Sequence, residues 1–139
     1  LAKDTPLHEL VEERERYGNE IKALPMHSEF TRRTLHCMRW HIRNMAFSRA
    51  KHDTAALGIL IEREHRRTGE YPESLDFALE ILGVDALIDP FTGEPYRYVR
   101  FGDIYDHDFA VYSVEENRRD DLGALDDISW ISPPRSLAE

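Results

Sequence analysis

One long helix is the feature of this sequence that most limits its fold. Mostly apolar residues recur at steps of three, four or seven along some thirty positions, which is the spacing of one helix face. Ser28 precedes this stretch as a candidate N-cap, and Gly69 follows it where a C-cap glycine is typical. The pattern predicts a helix over residues 29 to 68. The recurring residues are Leu35, Met38, Ile42, Ala46, Ala50, Leu57, Ile61 and His65.

A shorter helix is predicted on each side of the long one. Thr5-Pro6 is typical of a helix start, and the apolar spacing that follows predicts a helix from 6 to 17. Gly18 and Asn19 either end this helix or only weaken it, in which case Pro25 ends its continuation through Ile21 and Leu24. Residues 74 to 82 form a second, shorter amphipathic pattern, and Gly83 closes it.

The apolar pattern changes from helical to alternating beyond Asp89, which indicates strands. We predict antiparallel strands at 96 to 100 and 109 to 114, and a third short strand at 128 to 131. The fold class is therefore α+β, with a long N-terminal helix and an extra preceding helix packed on a small three-stranded antiparallel sheet. The predicted core is Leu57, Ile61, Phe77, Ile81, Phe91, Tyr98, Phe109 and Val111.

Length and composition favour one folded unit with short additions at its ends. A chain of 139 residues, 41% hydrophobic and 32% charged, can bury a single core. We divide it into a helical extension (1–27), an α+β domain (28–132) and a tail (133–139). Cys37 is the only cysteine, and its helical setting predicts a small buried hydrophobe rather than a nucleophile.

Charge is distributed unevenly along the chain. The net charge of −9 disfavours nucleic acid as a partner. Residues 29–52 nevertheless carry six basic side chains against the single acidic residue Glu29, so this half of the long helix is locally positive. We expect it to meet the acidic first helix of the same molecule or of a second copy, with Trp40 largely buried in the contact. A solvated basic face is the alternative.

Four stretches of the chain resemble the globular part of the type II secretion major pseudopilin. They are Gly-Glu-Tyr-Pro at 69–72, Asp-Pro-Phe-Thr-Gly-Glu-Pro-Tyr-Arg-Tyr at 89–98, Phe-Ala-Val-Tyr-Ser-Val at 109–114, and the segment 126–130, which begins with paired aspartates. The family pattern is similar in order: a helix, N-G-x-Y-P, D-P-W-G-x-P-Y-x-Y, a strand ending Y/F-S-L-G, and a loop with paired aspartates. The similarity covers about residues 50 to 131, and uncharacterised bacterial membrane-anchored proteins with this module resemble the chain equally well.

This resemblance implies an extracytoplasmic structural or interaction module, periplasmic or at the cell surface and anchored in the membrane in its full-length form. The chain departs from the family over residues 1–50, where a charged helix pair replaces the leader and the long apolar helix. The chain starts at Leu1 without a methionine, which suggests a processed or trimmed protein. Filament assembly is therefore a weaker expectation than the globular fold.

The loop between the second and third strands is the candidate metal site. It is rich in carboxylates, and irregularly spaced oxygen ligands suit Ca²⁺. The resemblance implies calcium ligands at the Val114 carbonyl and at Asn117, Asp126 and Asp127. Asn117 replaces a family aspartate, and Asp120 or Asp121 can restore the lost charge. A solvated acidic loop without calcium remains the alternative.

No sequence motif indicates catalysis. The four histidines of the long helix lack the i, i+4 spacing of a zinc pair, and neither a G-x-S-x-G nucleophile motif nor a phosphate-binding glycine loop occurs. We therefore expect a non-enzymatic protein. Two functions stay open: a membrane-tethered structural module, or a free-standing calcium-dependent protein-binding domain that dimerises through its N-terminal helices.

Overall fold

The protein is an α+β fold in which a long helix packs on a three-stranded antiparallel sheet, as the sequence predicts. This is a computed structural model, and it describes residues 5–25, 28–101, 106–114 and 127–134. Three helices precede three strands in these segments. They are α1 (Leu7–Lys22), α2 (Glu29–Thr68), α3 (Asp76–Leu82), β1 (Arg97–Arg100), β2 (Phe109–Ser113) and β3 (Ile128–Ile131).

The ends of α2 are those that its capping residues predict. Ser28 occupies the N-cap position, but its side chain makes no capping hydrogen bond. Gly69 adopts a left-handed conformation with φ of 85°, and its N–H donates to the carbonyl of His65 at 2.8 Å. A residue with a Cβ is strained at that φ, so glycine ends the helix at low cost.

β2 is the central strand of the sheet and contributes to two apolar clusters. Phe109 and Val111 belong to the main core with α2. Ala110, Tyr112 and Val114 form a second cluster on the other face. Because side chains alternate along a strand, a central strand buried on both faces contributes to both clusters.

The main core contains most of the residues predicted for it, with one error. Leu57, Ile61, Phe91, Phe109 and Val111 are buried, and Phe77 and Tyr98 are partly buried against them. Ile81, however, is 60% exposed. α3 buries Ala78 instead. The prediction failed because α3 has only seven residues and carries apolar side chains on several sides, so the apolar spacing does not identify the buried face.

α1 packs along the N-terminal half of α2, and it is longer than predicted. Gly18 does not end the helix; it is buried, and the guanidinium of Arg39 lies on it. Val11 of α1 joins the main core. Arg14 is also buried in α1, and desolvation, followed by the nearby charge of Arg39, lowers its pKa.

Two predictions about the N-terminal half of α2 are wrong for the single chain. Cys37 is exposed, and Trp40 is 58% exposed and outside the contact with α1. At about 100° per residue, both side chains point well away from Leu35, Ile42 and Ala46, which lie on the side of α2 that faces α1. Among the described residues, no helix is both long enough and apolar enough to cross a membrane.

Candidate calcium-binding loop

The turn before β1 is the structural support of the candidate site. Asp89 is buried, and its Oδ1 accepts the N–H of Phe91 at 2.9 Å, while its carbonyl accepts the N–H of Gly93 at 2.9 Å. Gly93 has a φ of 75°, which this turn requires. Phe91 is thereby directed into the core, where it is almost fully buried. Asp89, Phe91 and Gly93 of this motif therefore form one tight turn.

The carboxylate of Asp89 also connects this turn to the end of β2. It accepts hydrogen bonds from the Ser113 hydroxyl and the Val114 N–H, in addition to the Phe91 N–H. Burial raises the pKa of Asp89, and these hydrogen bonds act in the opposite direction by favouring the charged form. The last residues of β2 are therefore held by a buried acid at the point where the acidic loop begins.

The strand pairing brings the two ends of that loop together. Ser113 is paired with Ile128 across β2 and β3. Val114 directly follows Ser113, and Asp127 directly precedes Ile128, so both lie at this end of the hairpin. Val114 is buried and Asp127 is partly buried. Two of the predicted ligand positions are therefore brought close in space.

The other predicted ligands, Asn117, Asp120 and Asp126, lie outside the described residues. Within the segments that the structure describes, no group of three or more His, Cys, Asp or Glu side chains could hold a metal ion. The arrangement at Val114 and Asp127 is thus the base of a candidate site, and the calcium assignment stays a prediction.

β3 is fixed to the core and to α2 by Ile128 and Trp130. Ile128 is buried in the main core. Trp130 is partly buried, and its indole ring lies on Gly58 so closely that a Cβ there would be less than 3.0 Å from Cδ1, Cγ and Nε1. Only glycine fits this crossing without a shift of the ring. The hairpin that carries the loop is therefore fixed to a rigid helix.

Sequence reasoning missed the connection that Asp89 makes to Ser113 and Val114. The Asp-Pro turn was recognisable by itself, but its contact with the end of β2 joins residues some 25 positions apart. The sequence feature that could have indicated this contact is an aspartate in a turn together with a strand that ends in serine. Such a pair is chemically plausible in many sequences and becomes specific only once the register of β1 and β2 is known.

A second polar cluster lies where α2 meets the sheet. The Tyr71 ring stacks on His65 with 3.9 Å between ring centroids, and the Tyr71 hydroxyl bonds to the Asp108 carboxylate. Burial raises the pKa of Tyr71 to about 12, so its hydroxyl stays protonated near neutral pH. Tyr98 donates to the Pro72 carbonyl at 2.8 Å. These contacts hold the segment after α2 against β1 and β2.

Comparisons with known proteins add no relative. No protein-family model, no curated protein and no solved structure matches this chain.

Proposed function

We propose that this chain is a non-enzymatic extracytoplasmic interaction module of the pseudopilin globular-domain kind, with a loop between β2 and β3 that calcium orders. In this proposal the full-length protein is periplasmic or displayed at the cell surface and is anchored in the membrane. Its globular end makes protein contacts, and nucleic acid is not a partner. Calcium has a structural role, which is to hold the acidic loop in one conformation.

The position of Val114 and Asp127 is the observation that carries the calcium part. Carboxylates at 4 Å repel by only about 1 kcal/mol in water, but by about 4 kcal/mol at the effective dielectric of a protein surface. A loop whose ends are free can therefore separate its charges. Here both ends are fixed, since Asp89 holds Val114 and the pairing with Ser113 holds Ile128. In this proposal the acidic loop starts and ends at fixed points, and bound calcium lowers the repulsion among those of its carboxylates that come close together.

The arrangement of elements supports the module part. A long helix, the turn at Asp89 and a three-stranded sheet follow one another in the order that the resemblance implies. The second candidate is a free-standing calcium-dependent binding domain that dimerises through its N-terminal helices. It is favoured by the large apolar side chains that α2 exposes, Phe30, Met38, Trp40, Met45 and Ile59. The start of the full-length gene separates the two candidates, because only the first requires about 20 apolar residues upstream.

Thermal unfolding with and without calcium tests the proposal. Millimolar Ca²⁺ over a site with a dissociation constant of ~10 μM raises the unfolding free energy by about 2.7 kcal/mol. We expect a higher melting temperature in calcium than in chelator, and no comparable effect of magnesium. The double variant Asp126→Asn/Asp127→Asn should lose this increase. Asp85→Asn, which removes an exposed carboxylate outside the loop, is the matched control and should keep it. Coincident melting curves of the unmodified protein would remove calcium from the proposal.

A further inference from the structure

The outward face of α2 carries a continuous row of residues without formal charge. We call this row the outer stripe. It runs opposite the side that packs on α1 and the sheet, and it contains no Asp, Glu, Lys or Arg although 32% of the chain is charged. Its members are Phe30, Thr34, Cys37, His41, Met45, Ser48, His52, Ala55 and Ile59, with Asn44 beside Met45.

The outer stripe is accessible along its whole length. Phe30 is 84% exposed, Met45 59% and Ile59 52%. Thr34, Cys37, His41, Ser48 and His52 are also exposed, and Ala55 is half-exposed. The steps between members are three or four residues, so the stripe follows one helix face for about 44 Å. An exposed helix face normally carries charge, and a long uncharged one indicates a contact surface.

We propose that a second copy of this chain packs antiparallel on the outer stripe, with the two-fold axis at the level between Asn44 and Met45. In this register, a small residue of one copy lies opposite a larger residue of the other at two levels of the contact. Cys37 faces His52 of the second copy, and His41 faces Ser48. Thr34 faces Ala55, which lets the helices approach closely, and Phe30 meets Ile59 at each end. Alternating large and small residues fill an interface between helices well.

Charge also favours this register over a parallel one. Arg49 is level with Trp40 of the second copy, Lys51 with Met38, and Arg33 with Ala56, so none of these three cations faces another. A parallel pair would place each cation and each histidine beside its own counterpart, and like charges in contact are unfavourable. Antiparallel helices also align their dipoles favourably. A second copy is therefore expected to pack antiparallel rather than parallel on the outer stripe.

The size of the contact sets the expected affinity. A stripe about 44 Å long on a helix about 10 Å wide covers roughly 440 Å² on each copy, which is at the low end for specific interfaces. We expect a reversible dimer that half-forms between about 10 μM and 1 mM. The inference deepens the proposed interaction role and rests on it, but it does not depend on calcium.

Disulfide trapping tests the register, because Cys37 is the only cysteine. In the antiparallel dimer the two Cys37 residues are about 22 Å apart along the axis, far beyond the ~7 Å that a disulfide can span between Cα atoms. The unmodified chain should therefore form no cross-linked dimer when oxidised. His52→Cys should form one readily through Cys37 of the other copy. Ser48→Cys, offset by about 6 Å from Cys37 of the second copy, is the matched control and should cross-link poorly.

Sedimentation of the unmodified chain across the expected concentration range tests the contact itself. Met45→Glu places two like charges near the two-fold axis and should weaken the dimer at least tenfold. Ile81→Glu makes the same kind of change at an exposed apolar residue on α3 and should leave it unchanged. Circular dichroism checks that both variants are folded.

Three results would overturn the inference. A monomer at all concentrations up to about 1 mM would assign the outer stripe to a different partner. Efficient cross-linking through Cys37 alone would indicate a parallel pair. A dimer that Met45→Glu leaves intact would use another surface. The first result would leave the calcium-dependent melting untouched, so failure of the dimer and failure of the calcium proposal are separable.

Discussion

Gly58 allows the packing of α2 on the sheet to be tested, because the effect of Gly58→Ala on the unfolding free energy should change sign when Trp130 is removed. It lies buried in α2 under the indole of Trp130, and an added Cβ would be closer than 3.0 Å to three atoms of that ring. The ring is rigid, so it must move away from α2 as a unit. We expect Gly58→Ala to lower the unfolding free energy by about 1–3 kcal/mol, even though alanine is better than glycine in a helix by about 1 kcal/mol.

Removal of the ring should reverse that effect. In a Trp130→Ala background nothing blocks the new methyl group, so Gly58→Ala should raise the unfolding free energy by about 0.5–1 kcal/mol. The coupling between the two sites should then be at least about 1.5 kcal/mol. Urea unfolding followed by far-ultraviolet circular dichroism measures all four proteins of this cycle without relying on tryptophan fluorescence.

Gly18 supplies a matched control for this cycle. Its added Cβ would be 2.6 Å from Cζ of Arg39, but that atom is at the end of a flexible side chain and can move. We expect Gly18→Ala to change the unfolding free energy by less than about 1 kcal/mol, independently of Trp130. If Gly58→Ala is equally stabilising with and without Trp130, the indole does not lie on α2 and the described packing of β3 is refuted.

Two further predictions concern the core and the buried acid. Leu57→Ala and Phe109→Ala should each cost about 2–5 kcal/mol in urea unfolding, whereas Ile81→Ala, at an exposed site, should cost less than about 1 kcal/mol; similar losses at all three would reject the core. Burial raises the pKa of Asp89, so the folded state holds its proton to higher pH than the unfolded state, and Asp89's contribution to stability falls as pH rises through that interval. The unmodified protein should therefore lose stability relative to Asp89→Asn as the pH rises above about 4, the ordinary range of an aspartate, and a pH-independent difference would contradict the raised pKa.

The features that the sequence predicted well have local causes. α2 runs from Glu29 to Thr68 as expected, and Gly69 ends it in the left-handed conformation that favours glycine. The turn that begins at Asp89 follows from its own residues in the same way. In both cases the interactions that determine the structure join residues only a few positions apart, and local chemistry is visible in a single sequence.

The errors arose where a non-local contact decided the structure. Gly18 was a candidate helix end, but it lies inside α1, and the Arg39 guanidinium of α2 packs on it. The missing side chain at Gly18 lets α1 and α2 pack closely. Ile81 was predicted in the core, but Ala78 is the residue of α3 that is buried in the main core, and Ile81 is exposed. The candidate calcium site, which stays a prediction, also depends on a non-local contact, since Val114 and Asp127 come together only through the pairing of β2 with β3.

The outer stripe was hidden in the sequence because α2 has apolar residues on two opposite sides. Leu57 on one side and Ile59 on nearly the opposite side reduce the apparent periodicity of the helix, although only Leu57 is buried. α1 covers the inner side in the N-terminal half of α2, and the sheet covers it near Leu57 and Ile61. Since both coverings lie on the inner side, the outer stripe continues past each of them without interruption. No residue of the outer stripe is a predicted calcium ligand, and this is why self-association and calcium binding can be tested independently in the same protein.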